Sequence, residues 1–182
     1  MTSNVAAPTT NEAHRSAGPS IIAGALAVGA VLGFGGNFAP VGPVQDLMYA
    51  LSAAGLVLGA VLLAVEHAAT GDALAASGFA ILALGESRLL NPTDAPGGEA
   101  SFAAGVLLYV PALLLVALSP WAPRWTRAVG ALAAVPFAVH ALAYFAGAAV
   151  ETDGPIPSTG YALLTVTVVG WIITVLRRQS MR

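Results

Sequence analysis

The chain has 182 residues, of which 57% are hydrophobic and 9% charged, and its net charge is -2. An average soluble domain is about 25% charged, so this composition excludes a water-soluble globule and a disordered chain, and the lack of a basic excess gives nucleic acid no footing. There are no cysteines, which excludes disulfides, thiolate metal sites, cysteine-ligated iron–sulfur clusters and c-type haem attachment.

Residues 1–19 are polar, carry Pro8 and Pro19, and read as a flexible cytoplasmic tail. Six apolar stretches follow: Ser20–Phe38, Val44–Val65, Ala73–Leu90, Ala100–Leu118, Ala128–Val150 and Ile156–Leu176. A hydrocarbon core of about 30 Å takes roughly 20 apolar residues in a helix. Backbone polar groups in lipid must be satisfied within the segment, and these runs do not alternate as barrel strands do. The expectation is an all-α polytopic membrane protein, with six transmembrane helices in a compact bundle over 20–176 and a basic cytoplasmic tail over 177–182.

The first stretch carries Gly24, Gly29, Gly33, Gly35 and Gly36. The second opens on Asp46, has Tyr49 one turn deeper, spaces Gly55 and Gly59 four apart, and runs into Glu66-His67. The third ends in Glu86 and Arg88, which are two positions apart and so point to nearly opposite sides of a helix. They read as lying at the membrane edge. The fourth contains Pro111. The fifth contains Gly130, Ala134 and Ala138 in register, then Ala143 and Gly147, with Pro136 as a kink candidate. Small residues let helices approach in lipid, where hydrophobicity supplies no glue, so these stripes predict a tight bundle, a homo-oligomer, or both. Ser52, Ser77, Thr165, Thr167 and Thr174 are expected to bond their own backbone or a neighbouring helix.

All seven basic residues are arginines. With six spans, Arg15, Arg124, Arg127, Arg177, Arg178 and Arg182 share one side and Arg88 alone falls on the other. The positive-inside rule then puts both termini in the cytoplasm, in a plasma membrane. Trp121, Trp125 and Trp171 would form an inner aromatic belt, with Tyr49 and Tyr161 serving the outer one.

His140 lies near mid-depth of the fifth stretch, with Tyr144 one turn on. An ionisable side chain at that depth faces the bundle interior or a cavity. With Asp46, Glu66 and Glu86 it sketches an acid–histidine–acid path for a solute or proton. The plainer alternatives are a neutral core histidine and solvated acids at helix ends. His67 at the inner edge and His14 in the tail do not match His140 in depth, as two axial haem ligands would have to. No HExxH, phosphate loop, GxSxG or paired-carboxylate motif occurs. Nothing nominates an enzyme, a metal or a cofactor.

Some local features form a pattern. Ser16-Ala17-Gly18-Pro19-Ser20-Ile21 precedes the first span and keeps the second proline of an Asn-Pro-x-Pro-Leu-Gly motif. Glu66-His67, followed by Gly71-Asp72-Ala73-Leu74, keeps the glutamate and glycine of a span-ending Glu-aromatic then Gly-Asn-Thr-Phe turn. With six short spans, termini inside and a basic fourth loop, the chain resembles the acetate uptake transporter family (the succinate–acetate permease group). The resemblance makes Pro19, Glu66 and Gly71 motif positions and implies passage of small carboxylates through a cyclic oligomer. The expected function is therefore a small transporter or channel for a small solute, such as the carboxylate acetate, with the lipid bilayer, a small anionic solute and further copies of itself as partners. The alternatives are a non-transporting assembly partner in the membrane and a haem-binding redox subunit.

Overall fold

The computed structural model describes residues 10–90 and 96–181, with side chains from Gly18 onward. Asp94 and Arg182, and the side chains of Glu12, His14 and Arg15, lie outside that description. Among the described residues six helices follow one another: α1 Thr10–Gly36, α2 Pro43–Thr70, α3 Ala73–Leu89, α4 Gly98–Leu118, α5 Arg124–Phe145 and α6 Pro155–Ser180. No strand occurs among the described residues.

Local chemistry accounts for the boundaries. Pro43 and Pro155 stand in the first turns of α2 and α6, where a missing N–H costs nothing. Gly71 ends α2 in the left-handed region at φ 81°, and its N–H meets the Ala68 and His67 carbonyls. Asp72 then caps α3, its carboxylate accepting the Ala75 N–H at 3.1 Å. Ser119 precedes Pro120 and is extended at ψ 139°, which stops α4. The Arg127 guanidinium covers the freed end of α4 by donating to the Ala117 and Leu118 carbonyls.

α1, α2, α4, α5 and α6 each contain a stretch long and apolar enough to cross a membrane. Their outward faces are hydrophobic: Val31 is 66% exposed, Leu142 63% and Val65 62%. Such faces are tolerable in lipid and not in water, so the chain is a multi-pass membrane protein. α3 is the short member, with 17 residues spanning about 26 Å.

Each helix packs on its neighbours in sequence, and α1 packs on α6, closing a ring. The middle of the ring is filled. Leu26, Leu63, Phe79, Tyr109, Phe137 and Trp171 are all at most 1% exposed. One end of the ring carries the start of α1, the α2–α3 and α4–α5 turns and the end of α6, where Ser20 meets Gln179 at 3.4 Å and Arg178 donates to the Trp121 carbonyl at 2.9 Å. This is the terminal end. The opposite end carries the last turns of α1, α3 and α5 and the first turns of α2, α4 and α6, with Ser101 Oγ donating to the Arg88 carbonyl at 3.0 Å and Tyr49 to Asn37 Oδ1 at 3.2 Å.

Several expectations need correcting. α1 begins at Thr10, so the second half of the expected flexible tail is helical. α6 continues through Arg177 and Arg178 to Ser180, so most of the expected C-terminal tail is helical as well. Gly147 is no packing residue: it breaks the chain direction after α5 at φ 83°, with nothing within 4 Å of a Cβ built on it. Gly24 is equally open. The seam of Gly29, Gly33, Gly55 and Gly59 lies between α1 and α2. A Cβ at Gly55 would come within 2.8 Å of the Ala25 carbonyl and 2.9 Å of the Gly29 nitrogen, which makes α1–α2 a backbone-to-backbone contact. The α3–α4 seam went unread in the sequence; it is built on Gly78, Gly85 and Gly105. Trp121 and Trp171 are buried, as is most of Tyr161, because their rings fill the ring's interior. Of the expected belt residues, Trp125 and Tyr49 remain exposed at 48% and 40%.

Candidate functional site

Two polar centres stand at different levels of the ring, separated by aromatic side chains.

The first is at the terminal end. Glu66 and His67 are in the last turn of α2, Asp72 caps α3, Ser119 and Trp121 lie in the α4–α5 turn, and Arg178 is in the last turn of α6. His67 is 4% exposed, its ring stacked on Phe79 at 5.8 Å and tilted against Trp121 at 4.9 Å. Its Nδ1 is 3.6 Å from Asp72 Oδ2, and the same carboxylate accepts the Ser119 hydroxyl. The acid thus stands between serine and histidine. A nucleophilic relay needs the imidazole in contact with the hydroxyl, so this trio ties two turns together and does not activate Ser119. Burial works to raise the Asp72 carboxyl, but the Ser119 hydroxyl, the Ala75 N–H and the positive fields of His67 and Arg178 outweigh it and hold it below the usual range. The Arg178 guanidinium lies 5.7 Å above the Trp121 ring, within cation–π reach. Trp121 Nε1 is buried without a hydrogen-bond partner. Pro19, Glu66, His67, Trp121, Arg178 and Gln179 line a hollow of about 10 Å³, enough for about one water.

The second centre lies in the half nearer the opposite end. Glu86, three residues from the end of α3, is 3% exposed. Its polar neighbour is the Tyr109 hydroxyl of α4. Tyr109 is fully buried, neighbours the Tyr161 hydroxyl of α6 as well as Glu86, and makes no hydrogen bond of good geometry. The close approach of α3 and α4 produces this meeting: a Cβ on Gly85 would lie 2.8 Å from the Tyr109 ring and 2.9 Å from the Gly105 carbonyl. Tyr109 and Tyr161 both pack edge-on against Phe137, at 5.0 and 5.1 Å. Glu86 is therefore not at a solvated edge. Arg88 is, and the two do point apart as their spacing requires.

The remaining sequence candidates separate. His140 is 1% exposed and stands edge-on to Phe102 at 5.3 Å, with no acid acting on it. Phe102 lies between it and Tyr161, 6.4 Å from the latter. The Tyr144 ring packs on Phe145 at 5.3 Å. Asp46 is exposed in the first turn of α2. The expected acid–histidine–acid line is thus not a chain of contacts: Glu66 belongs to the terminal centre, Glu86 to the inner one, and His140 to neither. Pro19 and Glu66, 47 positions apart, do meet in one hollow. Gly71 does not join them; its place follows from its backbone conformation. Ser52 donates across to the Gly29 carbonyl at 2.7 Å, while Thr165, Thr167 and Thr174 bond their own helix.

Sequence reasoning missed Tyr109, Tyr161, Trp121, Arg178 and Asp72 as members of these centres. The available signal was a tyrosine in mid-span at position 109 and the small pair Gly85 and Gly105. No family model, curated protein or solved structure matches this chain.

Proposed function

We propose that the chain is a six-span transport protein of the plasma membrane, its termini in the cytoplasm, that passes a small solute such as a short carboxylate. The observation that carries this reading is Glu86: a carboxyl enclosed by apolar side chains and tyrosine hydroxyls, inside a chain whose outer surface is made for lipid. Burying such a group is expensive, and intramembrane ionisable residues mark solute and ion pathways. Support for a sixth crossing comes from α3 itself. Its first residue adjoins Asp72, bonded to Ser119 at the end of α4, and near its last the Arg88 carbonyl is bonded to Ser101 at the start of α4. α3 thus runs the length of a helix that is itself long enough to cross. Six crossings leave both chain ends on one side, in keeping with the Ser20–Gln179 contact. Arg124, Arg127, Arg177 and Arg178 then share that side, which favours the cytoplasm.

The terminal hollow supplies a mouth of suitable chemistry. Arg178 offers a guanidinium for a carboxylate, and Pro19 and Glu66 line the same space, which keeps the acetate uptake resemblance in play. The filled middle of the ring makes this a closed form, so passage requires Phe79, Phe137 and Trp171 to move. The test is uptake of labelled acetate and related short carboxylates by vesicles containing the purified protein. Flux above that of empty vesicles, lowered at least tenfold by Glu86→Gln in a folded protein, supports the proposal. Background flux for every small solute tried overturns it.

A second reading has one observation in its favour. Between α5 and α6, on the outward face, Leu132, Val135, Pro136, Val139, Ile156 and Leu163 border an apolar groove of about 670 Å³. A membrane assembly partner would use such a surface. Isolation of a stable hetero-complex in mild detergent, from a protein that conducts nothing alone, decides for this reading.

A further inference from the structure

We infer that Glu86 is a one-proton site that exchanges its proton with the face opposite the chain termini. The inference deepens the transport reading and rests on it for its use, though not for its test.

The surroundings of the carboxyl come first. On its own helix, Arg88 points away and is exposed. From α4 it meets Tyr109, and from α6 Tyr161 stands behind that hydroxyl. On α5, His140 is held off behind Phe102. On α2, the titratable groups toward that end are Asp46 and Tyr49, both exposed. No described cation reaches Glu86. The Gly85–Gly105 contact leaves the two backbones too close for a counterion to enter between them. An ionised carboxylate without a cation is far more costly in such surroundings than the neutral acid. In the closed form the group therefore takes up one proton, with the Tyr109 hydroxyl as its polar neighbour.

Access is one-sided. Toward the terminal end stand Phe79, Leu82, Leu113, Phe137, Val168 and Trp171, none more than 2% exposed. Phe79 and Trp171 meet edge-on at 4.9 Å, and Phe79 also touches Trp121 at 5.6 Å. This septum separates Glu86 from the His67–Asp72 centre. Toward the opposite end the carboxyl is three residues, about 4.5 Å, from the end of α3. There the half-buried Phe102, 6.4 Å from the Tyr161 ring, forms the cover. Opening that cover is a smaller rearrangement than parting the septum.

Dicyclohexylcarbodiimide, which reacts with protonated carboxyls in apolar surroundings, provides the probe. The full-length protein is placed in vesicles in one known orientation, the pH of each face is varied separately, and labelled peptides are mapped by mass spectrometry. Labelling of Glu86 is expected to follow the pH of the face opposite the termini, falling about tenfold per pH unit above the site's midpoint, and to ignore the pH on the terminal side. Glu86→Gln removes the label while the thermal unfolding transition stays, and the wild-type map identifies the residue even if that variant fails to fold. Labelling that follows the terminal side, that appears on Glu66 in place of Glu86, or that is absent at every pH overturns the inference. The readout requires no flux. Sided labelling without solute uptake leaves this inference standing and removes the transport reading; uptake without sided labelling does the reverse.

Discussion

Replacing Gly55 by alanine tests whether α1 and α2 are held by backbone contact. The added Cβ would lie 2.8 Å from the Ala25 carbonyl oxygen, 2.9 Å from the Gly29 nitrogen and 3.2 Å from Val28 Cγ1. Ordinary carbon contacts begin near 3.5 Å, so α1 would have to retreat by about 0.7 Å. Two of the three obstacles are backbone and cannot rotate away. Overpacking of this kind costs about 1–3 kcal/mol, and the displacement also stretches the Ser52–Gly29 hydrogen bond. Alanine recovers up to ~1 kcal/mol of helix propensity, so a control is needed in which only that gain operates. Gly24→Ala supplies it, because nothing lies within 4 Å of its Cβ. Unfolding in mixed micelles of increasing dodecyl sulfate content, followed by helical circular dichroism, should place Gly55→Ala about 1–3 kcal/mol below Gly24→Ala. Equal stability of the two variants would refute the close α1–α2 approach.

Other expectations concern single groups. Ser52→Ala, which removes the buried bond to the Gly29 carbonyl, should cost between about 0.6 and 1.7 kcal/mol in the same unfolding assay. Gly71→Ala forces a side chain into the left-handed region and should cost roughly 1–2 kcal/mol; no loss would mean that the α2–α3 turn takes another conformation. Asp72→Ala removes the α3 cap and the Ser119 tie and should cost about 0.5–2 kcal/mol at neutral pH. The Asp72 carboxyl is held low in the folded protein, so its contribution is complete above the unfolded value near ~4 and disappears as pH falls through the lower folded value. The gap between wild type and Asp72→Ala should therefore close in acid; a gap that persists well below that range would remove the charge from the argument.

The structure also revises what counts as a site. In the sequence Glu86 reads as an acid at the membrane edge and His140 as the ionisable group at mid-depth. In the fold both are buried, but the histidine packs on the Phe102 ring, whereas the glutamate meets the Tyr109 hydroxyl. Depth follows from counting along a helix. The direction in which a side chain faces depends on the rotation of that helix against its neighbours, and small residues such as Gly85 and Gly105 set that rotation from two separate segments. The Pro19–Glu66 meeting is similar: each residue was visible alone, and the closure of α1 on α6 brings them together with Arg178.

Sequence alone was enough for the medium and for the local grammar. Apolar run length and scarcity of charge demand lipid-facing helices, because unsatisfied backbone groups cannot exist in hydrocarbon. Proline, glycine and Asx residues mark most of the ends, because each acts within one turn of chain. What had to wait for the tertiary structure was every pairing between helices: the Glu86–Tyr109–Tyr161 grouping, the His67–Asp72–Ser119 tie, and the burial of Trp121 and Trp171. Such pairings depend on rotation and register among segments dozens of residues apart. In an alanine- and glycine-rich chain many registers satisfy the same hydrophobic pattern, and close packing of particular surfaces selects one.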